Sequence, residues 1–439
     1  MKKCTKFITI LLALALCLSL IACGDTAQND ETTANGEPTA NSGSAPTPES
    51  TPTPEITPVP ETTPGPGTTP VPETTSVPET TPVPETTPVI ETTPSSETTP
   101  VTETTPEPET TSEDVNLGNP DYSSEYTDGL IFELNNKSNT YTVSEYKGNA
   151  TEVVIPRIYK GNFVTSIGSY AFFECNFITN VIIPDSVTNI GVHAFQNCTS
   201  LVYNEYDNAL YLGGSLNPYA ALIKVKYSNI QNCVINSNAT VIADEAFRGC
   251  KSLTSITVPD GVTSIGYRTF YECTSLTSVT IPDGVTSIGE SAFSNCTSLE
   301  NIIIPYSVTC IGSEAFSECK SLAYNEYDNA LYLGNSSNPY FALIKTKKTN
   351  IKNCTVNSDT IVIAGKAFYD CKALASINIP DGVIFIGESV FKGCASLTNI
   401  IFNGTKEQWR AIEKGSDWKT ATGTFTVYCT DGDISKTDS

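Results

Sequence analysis

Apolar residues recur through the C-terminal two thirds of the chain in a fixed pattern of 23 positions. The unit at residues 276–296 reads LTSVTIPDGVTSIGESAFSNC, with one apolar run ending at Ile281 and another at Ile288. Pro282 ends the first run because proline cannot donate to a β ladder, and Asp283-Gly284 supplies a tight turn. Each unit therefore predicts two short strands that face each other across a narrow core.

The phenylalanine of this unit recurs eight times, and a cysteine follows each copy by three residues. The eight phenylalanines are Phe172, Phe195, Phe247, Phe270, Phe293, Phe316, Phe368 and Phe391. Successive copies are 23 residues apart except at two intervals of 52, which carry 29-residue insertions. A fixed period of this length is typical of a solenoid, whose coils bury their apolar faces against each other. Eight coils at about 4.8 Å each would span about 38 Å.

The repeat Ile-Pro-x-x-Val-x-x-Ile-Gly-x-x-Ala-Phe-x-x-Cys resembles that of BspA-type leucine-rich repeat surface proteins. The resemblance covers about residues 120 to 430. It implies a leucine-rich-repeat-like solenoid, mainly β, with two short parallel strands per coil. It also implies display outside a bacterial cell and adhesion to host proteins or to other cells.

Residues 1–23 have the pattern of a bacterial lipoprotein signal peptide. Three lysines precede an apolar run from Phe7 to Leu20, which as a helix reaches only about 21 Å against a hydrocarbon core of roughly 30 Å. The run is therefore interpreted as a secretion signal. Residues 20–23, Leu-Ile-Ala-Cys, resemble the lipobox and imply a lipid on Cys23 that holds the chain at the extracellular face of the cell membrane. The alternative is ordinary cleavage and release.

Residues 24–119 are rich in Thr, Pro and Glu and show no apolar periodicity. Such a segment cannot bury enough surface to fold, so a disordered spacer is predicted. Nine glutamates between Glu55 and Glu109 lie at multiples of six residues, which places them on one edge of a polyproline II helix that could reach on the order of 280 Å. A Pro-rich docking ligand is the alternative. The net charge of −23 argues against nucleic acid as a partner.

The predicted folded domain, residues 120–430, carries a cap at each end. Residues 130–134 and 141–145 are β-rich and predict a hairpin that covers the first coil. Near the other end, Thr405 begins a helix with a capping-box pattern. We expect Trp409 and Trp418 to cover the open core there, followed by a last strand over residues 424–429. Residues 431–439 are predicted to be a polar tail.

The two insertions, residues 203–231 and 324–352, agree at 22 of 29 positions. Each is predicted to form a hairpin, with strands at residues 209–212 and 219–224 in the first copy. Because four coils separate the copies, they are expected to project from one side of the solenoid about 20 Å apart. Two interpretations remain open: a duplicated structural elaboration, or a two-point binding surface.

Three of the fifteen cysteines, Cys4, Cys17 and Cys23, lie in the signal segment. Eight of the others form one column with parallel side chains about 4.8 Å apart, a poor geometry for disulfides. Buried free thiols are therefore predicted, with Cys233 and Cys354 also interior. Because the folded region contains one histidine and no Cys-x-x-Cys, no metal site and no cofactor are predicted.

No residue pattern in the chain predicts catalysis. The one histidine, His193, occupies a column whose residues vary from coil to coil, as expected of a solvent-facing position. The aspartates that follow the repeat's proline are explained as turn residues. We find no paired carboxylates of the kind glycoside hydrolysis needs, so the chain is predicted not to be an enzyme.

Exposed aromatic residues are the candidate binding sites, since tyrosine offers contact area and a hydroxyl to a protein or glycan. The predicted ligand-binding residues are Tyr170, Phe173, Tyr267, Tyr271 and Tyr369 in the outward columns, and Tyr211, Tyr219, Tyr332 and Tyr340 in the insertions. The leading hypothesis is a lipid-anchored surface protein that binds an extracellular protein or glycan. The alternatives are a structural envelope module without a ligand and, third, a glycan-acting enzyme. The sequence does not specify an oligomeric state.

Overall fold

A computed structural model describes residues 126–439 of the chain. The predicted signal peptide, the lipid site at Cys23 and the Thr/Pro/Glu spacer lie outside the described residues. The described part is a mainly β solenoid of about 13 turns with almost no helix, which confirms the predicted fold class.

In chain order the strands are β1 (Leu130–Asn135), β2 (Thr140–Tyr146), β3 (Glu152–Val154), β4 (Ile158–Tyr159), β5 (Asn162–Ile167), β6 (Asn180–Ile182), β7 (Asn189–Ile190), β8 (Asn204–Tyr206), β9 (Ala209–Leu212), β10 (Ala221–Val225), β11 (Val241–Ile242), β12 (Ser255–Thr257), β13 (Ser264–Ile265), β14 (Ser278–Thr280), β15 (Ser287–Ile288), β16 (Asn301–Ile302), β17 (Cys310–Ile311), β18 (Asn325–Tyr327), β19 (Ala330–Leu333), β20 (Ala342–Thr346), β21 (Asn353–Thr355), β22 (Val362–Ile363), β23 (Ser376–Ile379), β24 (Phe385–Ile386), β25 (Asn399–Phe402), β26 (Glu413–Lys414), β27 (Thr426–Cys429) and β28 (Gly432–Ser435). The described residues contain one helix, α1 (Lys406–Ala411), between β25 and β26.

Each regular coil contributes two strands that pair in parallel with the equivalent strands of the neighbouring coils. In the first column β12, β14 and β16 place Ile256 opposite Val279, and Val279 opposite Ile302. In the second column β13, β15 and β17 align Ile265, Ile288 and Ile311. These isoleucines and valines are buried, so each coil closes the apolar face of the next.

The motif phenylalanines stack on one another inside the solenoid, but not along its whole length. Phe270 and Phe293 are parallel with ring centroids 5.3 Å apart, and the stacked pairs are Phe172–Phe195, Phe247–Phe270, Phe270–Phe293, Phe293–Phe316 and Phe368–Phe391. No stacked pair joins Phe195 to Phe247 or Phe316 to Phe368 within the described coils. The stack is therefore interrupted at each insertion.

Thiols of the cysteine column donate to backbone carbonyls of the preceding coil. The Sγ of Cys273 lies 3.2 Å from the carbonyl oxygen of Phe247, and that of Cys296 lies 3.1 Å from that of Phe270. Ten buried cysteines and the half-buried Cys429 are free. The ten are the eight of the column with Cys233 and Cys354, so the prediction of buried free thiols is confirmed for them. Burial raises the pKa of Cys250 to about 11. The hydrogen-bonded sulfurs point toward carbonyls and not toward one another, so these thiols are not bridged along the column.

The insertions do not project from the solenoid; they form part of the coil stack. In the first copy, β8, β9 and β10 form an antiparallel meander, and β10 pairs in parallel with β11 of the next coil. Tyr211 and Leu222 are fully buried in the main core. The second copy repeats this arrangement with β18, β19, β20 and β22. The expected projection is wrong because apolar residues of β9 and β10 are buried in the core.

In the coil after each insertion, alanine replaces the glycine that follows the second strand in the regular coils. The placement of the insertion explains this difference. In the regular coils the glycine after the second strand touches the preceding coil: a Cβ on Gly289 would lie 2.7 Å from the carbonyl carbon of Gly266. After each insertion this position holds Ala243 or Ala364, whose N–H donates to the inserted strand at Leu222 or Leu343, both at 2.9 Å. The inserted strand replaces the close neighbour and leaves room for a methyl group.

The N-terminal end is closed by the predicted hairpin. Strands β1 and β2 pair antiparallel, and β2 pairs in parallel with β5 of the first coil. The ring of Tyr146 lies 5.5 Å from that of Phe172, so the hairpin covers the first phenylalanine of the column.

The C-terminal end is closed by α1 and two strands. The capping box at Thr405 is present, with Gln408 as its partner, and Trp409 and Trp418 are buried over the last coil. Strand β27 pairs with β25, and β28 pairs antiparallel with β27. The segment predicted as a polar tail therefore contains a strand, β28, because Ile434 supplies an apolar residue that the core buries.

Candidate binding surface

One outward column of the solenoid is built on left-handed backbone. The residue two positions before each motif phenylalanine has a φ between 50° and 60°; these residues are Tyr170, His193, Glu245, Arg268, Ser291, Glu314, Lys366 and Ser389. The conformation lets the backbones of neighbouring coils pair, as when the N–H of Arg268 donates to the carbonyl of Glu290 at 3.0 Å. It costs a non-glycine residue roughly 1–2 kcal/mol. The backbone hydrogen bonds between coils offset this cost, so the column keeps one backbone conformation while its side chains vary.

The N-terminal part of this column carries an exposed aromatic pair. Tyr170 is 51% exposed and Phe173 is 40% exposed, and their rings meet edge to face with centroids 5.6 Å apart. The imidazole of His193, in the next coil, lies 5.5 Å from the Tyr170 ring. The predicted exposure of Tyr170 and Phe173 is confirmed, and His193 joins them.

Glu245 links this pair to the following coil. Its side chain is only 9% exposed, and its carboxylate lies 3.8 Å from Nε2 of His193, although the two residues are separated by an insertion in the sequence. On the other side it receives Nη1 of Arg248 at 3.1 Å and lies 3.8 Å from Nη1 of Arg268. The coils before and after the insertion are therefore neighbours on this face.

Two half-buried tyrosines hold Arg268. Its guanidinium lies 4.7 Å from the centre of the Tyr267 ring and 5.0 Å from that of Tyr271, while Arg248 lies 5.7 Å from Tyr271. Burial raises the pKa of Tyr267. We name the whole surface the aromatic–arginine ridge, which consists of Tyr170, Phe173, His193, Glu245, Arg248, Tyr267, Arg268 and Tyr271.

Tyr369, the fifth predicted residue of the outward columns, lies apart from the ridge. It is 42% exposed, and Lys366 lies 5.8 Å from its ring while binding Glu314 at 2.9 Å. Between this group and the ridge, Ser291 and Ser294 occupy the same columns with small, buried side chains. The outward columns therefore carry two separate groups of large side chains.

The insertion tyrosines are not all available to a ligand. Tyr211 and Tyr332 are completely buried, and their hydroxyls accept the N–H groups of Asn236 and Asn357 at 3.1 and 3.2 Å. Burial raises the pKa of Tyr211 to about 12. Their assignment as binding residues is corrected, because alternation along β9 and β19 turns them inward.

The other two predicted tyrosines of the insertions, Tyr219 and Tyr340, are half-buried. Their rings pack edge-on against those of Tyr211 and Tyr332, with centroids 5.6 Å apart in both copies. This packing holds them against the buried tyrosines and leaves only part of each ring open to solvent.

The polar residues shared by the two insertions are held by internal contacts. Asp207 accepts the N–H of Val234 at 2.6 Å, and Asp328 accepts that of Thr355 at the same distance. Glu205 forms an ion pair with Lys226 at 2.6 Å. The similarity of the copies is thus explained by attachment to the coil, which favours the structural interpretation over the two-point binding surface.

The sequence predicted the four aromatic residues Tyr170, Phe173, Tyr267 and Tyr271 of the ridge. Its ionic half, the charged residues and His193, was missed. Glu245, Arg248 and Arg268 were not singled out, and His193 was treated only as solvent-facing. The signal was available, since Glu245 and Arg268 share a column with Tyr170, and Arg248 shares one with Phe173 and Tyr271. What the sequence lacked was the adjacency of coils across the insertion.

Within residues 126–439, no three His, Cys, Asp or Glu side chains lie close enough together to hold a metal ion. The same residues include no helix with the length and apolarity needed to cross a membrane. The ridge is instead a continuous surface of side chains from successive coils, exposed at Tyr170 and Phe173 and half-buried at Tyr267 and Tyr271.

The fold and the repeated Ala-Phe coils define a leucine-rich repeat solenoid. The model of the BspA type leucine rich repeat region matches six copies in this chain, at residues 143–213, 225–338 and 346–415, which is more than half of its length. The chain belongs to this family. BspA-type leucine-rich repeat proteins are bacterial surface proteins, and proteins built from such repeats are generally binding or scaffold modules without enzymatic activity.

Several solved bacterial structures are similar to this chain. A leucine-rich repeat protein from Bacteroides ovatus is 26% identical over 70% of this chain and 78% of its own, with a TM-score of 0.30. A leucine rich cell surface protein from Faecalibacterium prausnitzii is 28% identical over 66% and 98%, with a TM-score of 0.23. The pneumococcal vaccine antigen PcpA is 19% identical over 64% and 70%, with a TM-score of 0.26. Among curated proteins, none matches.

Proposed function

We propose that this chain is a non-enzymatic protein of the bacterial cell surface that binds an extracellular macromolecule through the aromatic–arginine ridge. The observation that carries the proposal is the ridge itself. Its residues run in contact from Phe173 to Tyr271 across four coils. The family to which the chain belongs supports its display at the surface.

The variation of the ridge residues supports a role in recognition. Coil cores repeat the same isoleucine, phenylalanine and cysteine, so they cannot distinguish one partner from another. The ridge changes its residue in every coil. Tyrosine and arginine are among the side chains enriched at the energetic centres of protein interfaces.

The test is a binding screen of the purified chain against extracellular-matrix proteins, cell surfaces and glycan arrays. We expect saturable binding to at least one partner. The double variant Tyr170→Ala/Tyr271→Ala should weaken it at least about tenfold, as expected when interface anchors are truncated. The matched control is Tyr227→Ala, a tyrosine 66% exposed and outside the ridge, which should bind normally.

Three outcomes of the screen would contradict the proposal. Equal affinity of the ridge variant and the control would place the site elsewhere on the chain. Turnover of a polymer by the purified chain would favour the glycan-acting enzyme. Absence of any saturable ligand would favour the structural envelope module.

Lipid attachment at Cys23 is part of the same proposal. Its support is the lipobox-like sequence at residues 20–23 behind a short apolar run. A single lipid cluster would hold the chain at the membrane and leave the rest of it outside. In the native host, Cys23→Ala should move the chain out of the membrane fraction and abolish lipid labelling, whereas Cys17→Ala should change neither. A Cys23 variant that keeps both its membrane association and its label would contradict the anchor.

A further inference from the structure

At the centre of the ridge, two guanidinium groups and an imidazole approach the carboxylate of Glu245, and the carboxyl of Glu290 on the following coil interacts electrostatically with Arg268. Nη1 of Arg248 lies within hydrogen-bonding distance of both Glu245 oxygens, at 3.1 and 3.2 Å. His193 and Arg268 each remain 3.8 Å from the same carboxylate, which is too far for a hydrogen bond. Arg248 therefore forms the hydrogen bonds to Glu245. The imidazole of His193 on one side and the guanidinium of Arg268 on the other are left without a hydrogen bond to this carboxylate.

Arg268 is the less satisfied of these two donors. Its side chain makes no hydrogen bond to any described residue, and its Nε is buried without a partner. The side chain is still 34% exposed, so the outer end of the guanidinium faces solvent. The buried Nε is out of reach of a ligand, so the Nη groups at the outer end are the donors that an acceptor from solvent can bind.

The tyrosines around Arg268 fix the orientation of this donor. Tyr267 and Tyr271 flank the guanidinium at 4.7 and 5.0 Å, and contacts over ring faces hold an arginine plane in place. A side chain that is already ordered loses less conformational entropy when a ligand binds. The guanidinium of Arg268 is therefore preorganised to bind a hydrogen-bond acceptor of matching geometry.

We propose that Arg268 is the docking point for a carboxylate-bearing segment of a protein partner. Guanidinium groups bind carboxylates through two parallel hydrogen bonds, a strong and directional arrangement. The aspartate or glutamate of the partner would lie beside Glu245, with Tyr170 and Tyr271 as aromatic contacts on either side. This inference rests on the proposed function and assigns the chemistry of the ligand.

A protein fits this surface better than a small acid or a sugar. Small ligands bind in concave pockets that enclose most of their surface, whereas Tyr170 and Phe173 stand outward and are 51% and 40% exposed. Raised surfaces rich in tyrosine and arginine are characteristic of protein interfaces. The net charge of −23 would repel an acidic partner at long range, so binding requires a local site.

The experiment measures binding of a labelled peptide of about ten residues, with alternating Gly and Glu, to the full chain; we expect a Kd on the order of 0.1–1 mM at low salt. The peptide with Gln in place of Glu should not bind. Arg268→Gln should weaken binding at least about tenfold, the loss expected for a charge-assisted hydrogen bond.

The matched control is Lys366→Gln, in the same column and with the same left-handed backbone, but with its cation already paired to Glu314 at 2.9 Å. That variant should bind within about twofold of the parent, because paired surface cations contribute little. Equal losses in the Arg268 and Lys366 variants would reduce the effect to net charge and overturn the proposal, as would no binding of the peptide at all.

Polygalacturonate and inorganic polyphosphate serve as competing probes. Binding of polygalacturonate without the peptide would overturn the proposal in favour of an acidic glycan, and binding of polyphosphate alone would show a general anion site.

The failure of this inference can be told apart from failure of the proposed function. If Arg268→Gln keeps full affinity for a partner found in the screen while Tyr170→Ala/Tyr271→Ala loses it, the ridge binds the partner and Arg268 is not the docking point. If neither variant changes that affinity, the ridge itself is not the site.

Discussion

The two insertions repeat one sequence, whereas the aromatic–arginine ridge has a different residue in each coil, and this difference corresponds to different roles. The insertions agree at 22 of 29 positions, and their shared polar residues bind within the coils that hold them. The ridge has no repeated residue in its outward column, and one of its donors, Nε of Arg268, has no partner in the described structure. Where the chain repeats itself, internal contacts account for the repetition. Where it varies, as at Tyr170 and Phe173, aromatic side chains are exposed to solvent.

The two regions also differ in what they do to the coil stack. Each insertion interrupts the stacked phenylalanines and adds a strand to the core. The ridge instead continues across the first insertion, through the 3.8 Å approach of His193 and Glu245. The first insertion thus separates neighbouring phenylalanines in the core, but the coils on either side of it remain in contact at the surface. A binding face can therefore extend over coils that are far apart in sequence.

The largest expected effect comes from removing the first insertion. Deleting residues 203–231 restores the regular spacing of the repeat, but it removes buried Tyr211 and Leu222 and places Ala243 where the regular coils have glycine. We expect a loss of at least about 5 kcal/mol in the free energy of unfolding, or failure to fold, since large core truncations each cost about 3–5 kcal/mol. Chemical denaturation followed by circular dichroism measures it.

The matched control for this deletion adds Ala243→Gly. With glycine the two coils can approach as the regular ones do, so this variant should regain part of the lost stability. A deletion that leaves the denaturation midpoint unchanged would show that the first insertion does not contribute to the stability of the solenoid.

The next effect concerns a buried carboxyl beneath the ridge. Asp244 accepts the N–H of Tyr267 at 2.8 Å, while its Oδ2 has no partner among the described residues. Burial raises its pKa to about 7. The folded protein then binds this proton more tightly than the unfolded chain, whose aspartate titrates near pH 4, so the free energy of unfolding falls as pH rises from about 4 to about 7.

The expected loss over that range is on the order of 2–4 kcal/mol. Asp244→Asn should remove it and flatten the pH profile of the denaturation midpoint, whereas Asp260→Asn, in an exposed turn, should leave the profile as it is. A parent chain whose stability does not change between about pH 5 and 8, within about 0.5 kcal/mol, would contradict this account.

A smaller effect separates the buried and exposed tyrosines of the insertions. Tyr211→Phe removes the hydroxyl that accepts the N–H of Asn236 and leaves that donor buried, at a cost of about 1–3 kcal/mol. Tyr206→Phe, on a side chain 39% exposed, should cost less than about 0.5 kcal/mol. Denaturant titration measures the loss in the free energy of unfolding for each variant. Equal losses for the two would contradict the distinction between inward and outward tyrosines.

Much of the fold could be predicted because it depends on local rules. The period of the repeat, the proline that ends the first strand and the Thr405 capping box each reflect local sequence, and all three hold in the structure. The buried thiols followed from the geometry of a stacked column. These features need no knowledge of how distant segments meet.

The placement of the insertions was mispredicted because a hairpin pattern does not say what its faces contact. A local signal did exist: Ala243 and Ala364 replace the repeat's glycine only after an insertion, which indicates a different neighbouring strand. The ionic half of the ridge depends on contacts between residues on either side of an insertion, such as His193 and Glu245. Its residues could be assigned to columns from the sequence, but their meeting could not.

The most direct test compares the two regions in one binding measurement. For a partner identified in the screen, the Kd of the full chain is compared with those of Tyr170→Ala/Tyr271→Ala in the ridge and Tyr206→Ala/Tyr327→Ala on the two insertions. The insertion tyrosines are a fair control, being 39% and 40% exposed. We predict at least about tenfold weaker binding for the ridge variant and a change below about twofold for the insertion variant. The reverse order, with the insertion variant losing affinity and the ridge variant keeping it, would contradict the account.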